Sequence, residues 1–366
     1  MRIALALAVL IAPLPAAAQQ QAPRSYAGTV GTSRIVLTLE DGGDGPDVRG
    51  SYFYLSTRLD IALDGQRRGG ALILDAMATS DHLELRPQGQ ELVGTLTTAA
   101  KRRLAVRLSP VTHAANLPAD VPTGLSLHEQ LQLAGLTLAP DGVEQINGRA
   151  VRWYREAKSG VRLFRLEGDY AAEPMRAMNA ALARNQWQEV TRWLGCVDSG
   201  GTPGVDGGVS GKPWLGRDYV SYAWQASWSC AGAAHPDFGT ERHSFDARTG
   251  RELTLDEVLR VPGTPAPTAE SDAWYRYRSD VFAPHVVKLL QRYHPAEMRA
   301  PGAGRGDETD EPPCDYTDPT VWSFPAWRLS SDGLWLGASF ARVMRVCDTP
   351  EWAVLPWSAL PPRSAE

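Results

Sequence analysis

The chain has 366 residues, with 37 Lys and Arg against 42 Asp and Glu, a formal net charge of -5. That balance has the wrong sign for a nucleic-acid binder, and the length exceeds what one core organises, so two domains are expected. No apolar run approaches the roughly 20 residues that cross a bilayer.

The first 18 residues have the order of a secretory signal: Arg2, an apolar run over 3–14, then Ala16-Ala17-Ala18. Cleavage after Ala18 is expected, which takes Arg2 away and shifts the charge from -5 to -6. No cysteine stands at the new N-terminus, so a soluble periplasmic or secreted protein without a membrane anchor is expected. In such a compartment an even cysteine number reads as disulfides.

Residues 25–110 read as a first, all-β domain. "SRIVLTLE" puts Ile35, Leu37 and Leu39 on one face, "RLDIALDG" does the same with Leu59, Ile61 and Leu63, and "RLAVRLS" with Leu104, Val106 and Leu108. Period two marks half-buried strands. Turn signals "DGGDG" (41–45), "DG" (64–65), "GG" (69–70) and "QG" (88–89) separate them. Seven or eight antiparallel strands, in a barrel or curled sheet with a side-chain-filled interior, are expected. Residues 111–150 read as a connector with a helix around 125–133.

All twelve tryptophans and all four cysteines lie at or beyond Trp153, and residues 151–362 read as an α+β domain of helices on a mainly antiparallel sheet. Met175, Met178, Leu182, Trp187, Val190 and Trp193 recur near 3.6 residues, the stripe of a helix ending at Gly195. The glycine-rich "DSGGTPGVDGGVSGKPWLG" fails as a phosphate loop, because Pro213 follows Lys212 where Ser or Thr would hold magnesium. It fails as a nucleophile elbow too, since Lys212 stands two after Ser210. It reads as a loop. "YVSYAWQASWSC" then alternates as a strand that delivers Cys230 to a core.

Residues 230–259, "CAGAAHPDFGTERHSFDARTGRELTLDEVL", concentrate His235, Asp237 and His243, which makes them the candidate polar site. Local duties account for the acidic residues: Asp246 and Gly250 form a hairpin turn, and Thr254 with Glu257 a capping box flanked by Leu253 and Val258. Cys196, Cys230, Cys314 and Cys347 allow three pairings, of which Cys196–Cys230 with Cys314–Cys347 is favoured for its two similar loops. No C-x-x-C spacing supports zinc.

The stretch 230–259 resembles the core motif of a domain of unknown function. That domain is shared by the extracellular part of the lysozyme-sensing anti-sigma factor RsiV and the peptidoglycan deacetylase PdaC. Asn179 and Leu182 upstream, and "DGLWLGASFARV" with "EWAVLPWSAL" downstream, fall in the family's order, so the resemblance spans roughly residues 160–361. It implies an α+β domain and does not imply catalysis; Ala233 and the cysteines depart from the pattern.

"SDAWYRYRSDVFAPHVVKLLQRY" reads as a helix kinked or divided at Pro284, and "TVWSFPAWRLSSDGLWLGASF" as a hairpin turning at Asp332-Gly333, with Pro325 placing its first strand at an edge. Between them an acidic loop carries Asp307, Glu308, Asp310 and Glu311, in a spacing that matches no calcium loop. These four are the candidate ligand-binding residues. The leading expectation is a non-enzymatic envelope protein without cofactor or metal, binding a protein or glycan ligand, with lysozyme-like cationic proteins the first class. The rivals are a peptidoglycan-modifying hydrolase using His235, Asp237 and His243, and a purely structural module.

Overall fold

A computed structural model of the chain describes residues 23–41, 46–300 and 314–361. Eight strands come first: β1 (Arg24–Val30), β2 (Ser33–Asp41), β3 (Asp47–Tyr54), β4 (Ile61–Arg68), β5 (Ala71–Ala76), β6 (His82–Gln88), β7 (Glu91–Thr97) and β8 (Arg103–Val111). Each pairs antiparallel with its sequence neighbour, and β1 pairs with β8 to close a barrel. The period-two residues Ile35, Leu37, Leu39, Ile61, Leu63, Val106 and Leu108 share its core with Tyr52, Leu74 and Leu83. Eight strands leave an interior just wide enough for side chains to fill.

One expected turn is not a turn. Asp64-Gly65 lies inside β4, paired with Asp75 and Leu74 of β5. A Cβ on Gly65 would overlap the carbonyl oxygen of Ile73, so this glycine allows the close backbone approach of a tightly curved barrel. The expected turns at Gly69-Gly70 and Gly89 do have positive φ. Residues 42–45 of "DGGDG" lie outside the described residues.

The segment read as a connector is ordered. Helix α1 (Leu127–Leu133) opens with Ser126 and Glu129 in a capping box. Strand β9 (Leu138–Ile146) follows and pairs with β10 (Arg149–Glu156), which pairs with β11 (Arg162–Leu166). β9 carries Pro140 and Gly142 and is mostly exposed at a sheet edge, so it shows no apolar alternation.

Helix α2 (Ala172–Gly195) buries Met178, Leu182, Trp187 and Val190, the expected stripe, and ends where expected. The glycine-rich run is the main correction: 198–204 is loop as expected, but the rest is strand β12 (Val205–Leu215), paired with β13 (Tyr219–Trp228), which pairs with β14 (Asp237–Asp246). At Gly207 a Cβ would press on Ala226 and the Gln225 carbonyl oxygen at 3.1 Å and on the Trp224 indole at 3.2 Å, so glycine makes room for the close approach of β13 and its tryptophan. These strands, α2 and β9–β11 enclose one core.

A second core lies among α3 (Leu255–Val258), α4 (Asp272–Tyr277), α5 (Ala283–Tyr293) and the sheet of β15 (Ala326–Leu329), β16 (Gly333–Gly337) and β17 (Val354–Pro356). The helix expected to be kinked or divided at Pro284 is interrupted just before that proline by a π-helical turn, Arg278–Phe282, between α4 and α5. The Ala283 N–H reaches back to the Arg278 carbonyl, five residues earlier. β15 is an edge strand of its sheet, as Pro325 indicates. The fold is therefore α+β, with an eight-stranded barrel followed by helices on small antiparallel sheets.

Disulfides join Cys196 to Cys230 and Cys314 to Cys347, the favoured pairing, and no cysteine is free. Two such bridges are characteristic of chains folded under oxidising conditions. Among the described residues no helix is long and apolar enough to cross a membrane.

Candidate binding cleft

The residues singled out from the sequence do not converge. His235 is exposed, and its ring nitrogens meet the Arg342 guanidinium at 2.7 and 3.2 Å. Asp237, at the start of β14, accepts from Arg345 at 2.6 Å, and that bond holds its carboxyl below the ordinary range. His243 lies six residues along the same strand, about 20 Å away at the rise of an extended chain. It stacks on Tyr222 and hydrogen-bonds Glu252 at 2.6 Å. Among the described residues no group of three His, Cys, Asp or Glu could hold a metal ion. Asp307, Glu308, Asp310 and Glu311 lie outside the described residues.

The stretch 230–259 contributes architecture instead. Asp246 accepts the N–H groups of Arg248 and Thr249, and Gly250 closes the turn at a φ of 76°. A Cβ there would overlap the Pro174 carbonyl oxygen, so the turn seats against the first turn of α2. The Glu257 carboxylate accepts from the Thr254 N–H at 2.8 Å and from Arg251, which together outweigh burial and lower its pKa.

That cap presents Asp256 to a cleft of about 1150 Å³ between α3, the proline-rich loop 261–267, α4 and the segment 324–327. Asp256 accepts from the Trp274 indole N–H at 2.7 Å and the Arg278 guanidinium at 2.8 Å. Ser271 caps α4 by accepting the Trp274 N–H, which sets the ring's position. Arg278 also donates to the Ser323 carbonyl at 2.7 Å and lies 3.8 Å over the Phe282 ring. Burial lowers its pKa, and Asp256 opposes that shift.

Around this buried ion pair runs an aromatic rim. Phe324 packs on Trp274 and Tyr275 at 5.4 and 5.9 Å, yet Phe324 and Tyr275 remain 46% and 50% exposed. Trp327 and Arg242 also line the cleft. Both lining carboxylates are committed to arginines, Asp256 to Arg278 and Glu257 to Arg251. The cleft thus offers ring faces and guanidiniums for contact.

A second polar cluster sits where α1 meets the barrel. Ser25 meets Thr38 at 2.8 Å, Thr38 meets His128 Nδ1 at 2.8 Å, and His128 Nε2 meets Asp60 at 2.9 Å. A hydroxyl, an imidazole and a carboxylate in that order are the parts of a nucleophilic site. Here Thr38 is only 6% exposed and its hydroxyl is shared with Ser25, while the imidazole and Phe53 meet edge to face at 5.1 Å. The arrangement docks α1 on the outside of the barrel and satisfies its polar groups.

Sequence reading passed over both places. Asp256 has a sufficient local role in the first turn of α3, and Arg278 reads as one more position of a helix. The available signal was composition: "VPGTPAPT" followed by "AWYRYRSDVF" sets a proline-rich rim beside clustered aromatics and arginines. Compared with known proteins, the chain matches no family model, and no curated protein matches it significantly.

Proposed function

We propose that this is an exported, non-enzymatic cell-envelope protein that binds a glycan ligand in the cleft around Trp274, Phe324 and Trp327. The carrying observation is the exposed aromatic rim over a buried Asp256–Arg278 pair: ring faces are held in place, and both lining carboxylates are already committed. Flat aromatic faces stack on sugar rings through apolar C–H surfaces, and guanidiniums supply charge-assisted hydrogen bonds. Two disulfides and the signal-like first 18 residues support export to the periplasm or beyond. The resemblance of residues 230–259 to the RsiV and PdaC domain supports an envelope setting.

A protein ligand of the lysozyme-like cationic class has a separate basis, the acidic run Asp307, Glu308, Asp310 and Glu311. The two are separated by calorimetry of the mature chain with envelope oligosaccharides and with lysozyme. Oligosaccharide binding that weakens roughly tenfold in Phe324→Ala or Trp327→Ala supports the cleft. Lysozyme binding that survives both substitutions and weakens with salt, in a protein that ignores oligosaccharides, overturns the glycan reading.

A further inference from the structure

Beside the cleft lies a smaller basin of about 460 Å³, and Arg242 lines both. Its wall is a seam between two sheets. Arg242 comes from β14, Arg328 from β15, and the β16 residue paired with Arg328 is Trp335. The two guanidiniums lie over the same indole ring, 4.8 and 5.5 Å from its centroid. That ring is itself immobilised, 5% exposed and donating its N–H to the Pro350 carbonyl at 2.9 Å.

No carboxylate lines this basin, while Lys212 adds a third cation. Arg242 donates to the Thr240 carbonyl, and among the described residues neither it nor Arg328 has a carboxylate partner. Several other arginines do have carboxylate partners, buried Arg278 with Asp256, Arg162 with Asp141 and Arg345 with Asp237, whereas half-buried Arg165 donates to Gln186 and the Phe164 carbonyl. Burial and the facing Arg328 both lower the Arg242 pKa, the direction expected of a cation short of negative charge. Two like charges brought to one ring without a counter-charge cost free energy that a bound anion would recover. Apolar contact surface is at hand in Phe238, 56% exposed, and in Trp214.

We infer that the basin between Arg242, Arg328 and Lys212 is a subsite for an anionic group, a carboxylate or phosphate, carried by the oligosaccharide whose rings occupy the adjoining cleft. The inference rests on the glycan reading of that cleft and narrows it to acidic glycans. Guanidinium forks match planar carboxylates and phosphates with paired hydrogen bonds. Arg242, facing both spaces, sets the spacing between the ring-binding and charge-binding ends.

The test uses the mature chain and three oligosaccharides of one length: neutral, carboxylated and phosphorylated. Calorimetry is expected to show the acidic forms binding roughly tenfold or more tightly than the neutral one. In the double variant Arg328→Gln with Lys212→Gln, which leaves Arg242 and the rest of the cleft lining intact, affinity for the acidic forms should fall roughly tenfold, towards that for the neutral form, which itself stays put. Preference for one acidic form over the other identifies the source of the charge. An acidic preference that persists in the double variant overturns the subsite, as does equal binding of all three by the parent. If no oligosaccharide binds, the cleft reading fails, and inorganic phosphate titrated against arginine Nε resonances decides the subsite alone. Saturable shifts confined to Arg242 and Arg328 support it, and their absence overturns it.

Discussion

Asp256 and Arg278 stand 2.8 Å apart with side chains 15% and 4% exposed, so each neutralises a charge the other could not carry alone. Breaking a buried pair from one side leaves an uncompensated charge. Arg278→Met is expected to destabilise the protein by about 3 to 5 kcal/mol, and the double variant Arg278→Met with Asp256→Asn to recover part of that loss. Urea midpoints measure both. A single variant within about 1 kcal/mol of the parent would show that the pair does not organise the cleft.

The disulfides close loops with sequence separations of 34 and 33. In the chain-entropy model each contributes about 3 to 4 kcal/mol. Replacing either pair by serines should lower stability by a similar amount, and the two losses should be comparable. Thiol titration of the denatured parent is expected to find no reactive thiol; one or more per chain would contradict the pairing.

Stability should depend on pH through Glu189. Burial raises its carboxyl to about 7 from an ordinary 4.5, although Arg192 sits 2.8 Å away and pulls the other way. Between those two values the folded protein holds a proton that the unfolded chain has released. Stability therefore falls as pH rises from 4.5 to 7, by up to about 3 kcal/mol for this group. Glu189→Gln should flatten that part of the profile in urea titrations from pH 4 to 8. An unchanged slope in the variant would remove Glu189 as the cause.

His128 joins α1 to the barrel through Thr38 and Asp60; its loss removes the Asp60 side-chain bond and leaves Thr38 with Ser25 alone. His128→Leu should cost about 1 to 3 kcal/mol and speed amide exchange in α1. Because hydroxyl, imidazole and carboxylate stand in a nucleophilic order, a general ester substrate is the useful control. Hydrolysis above background that disappears in both Thr38→Val and His128→Leu would make the cluster catalytic.

Gly65→Ala tests the curvature of the barrel. Its Cβ would overlap the Ile73 carbonyl oxygen, so β4 and β5 must separate. A loss of about 1 to 3 kcal/mol is expected, against a near-neutral change at half-buried Gly208, where a Cβ meets nothing within 4 Å.

The parts legible in sequence were those whose cause is local. Ile35, Leu37 and Leu39 alternate because one face of β2 is inside a barrel, and Met178, Leu182, Trp187 and Val190 recur because one stripe of α2 is buried. Asp64-Gly65 misleads because a turn and a mid-strand kink ask for the same residue. The glycine-rich run of β12 misleads similarly, since its fit depends on Trp224 across the strand pair. The cleft and the α1 latch were hidden for another reason. Arg278 finds Ser323 45 residues away, and His128 finds Thr38 and Asp60 at distances of 90 and 68 residues. Nothing near either residue announces those partners.

The closing ladder between β1 and β8 has a kinetic consequence. Every other ladder of the barrel joins sequence neighbours through a short connection, whereas this one joins Ser25 to Val111 across the whole unit. Loop-closure entropy and contact order make such a pairing the slow, late step, so the meander should form first and the seam zip last. By the same logic the seam is where the barrel opens. A nascent or stressed chain would then expose two unpaired strand edges while six inner strands stay together, and those edges are templates for pairing with another copy.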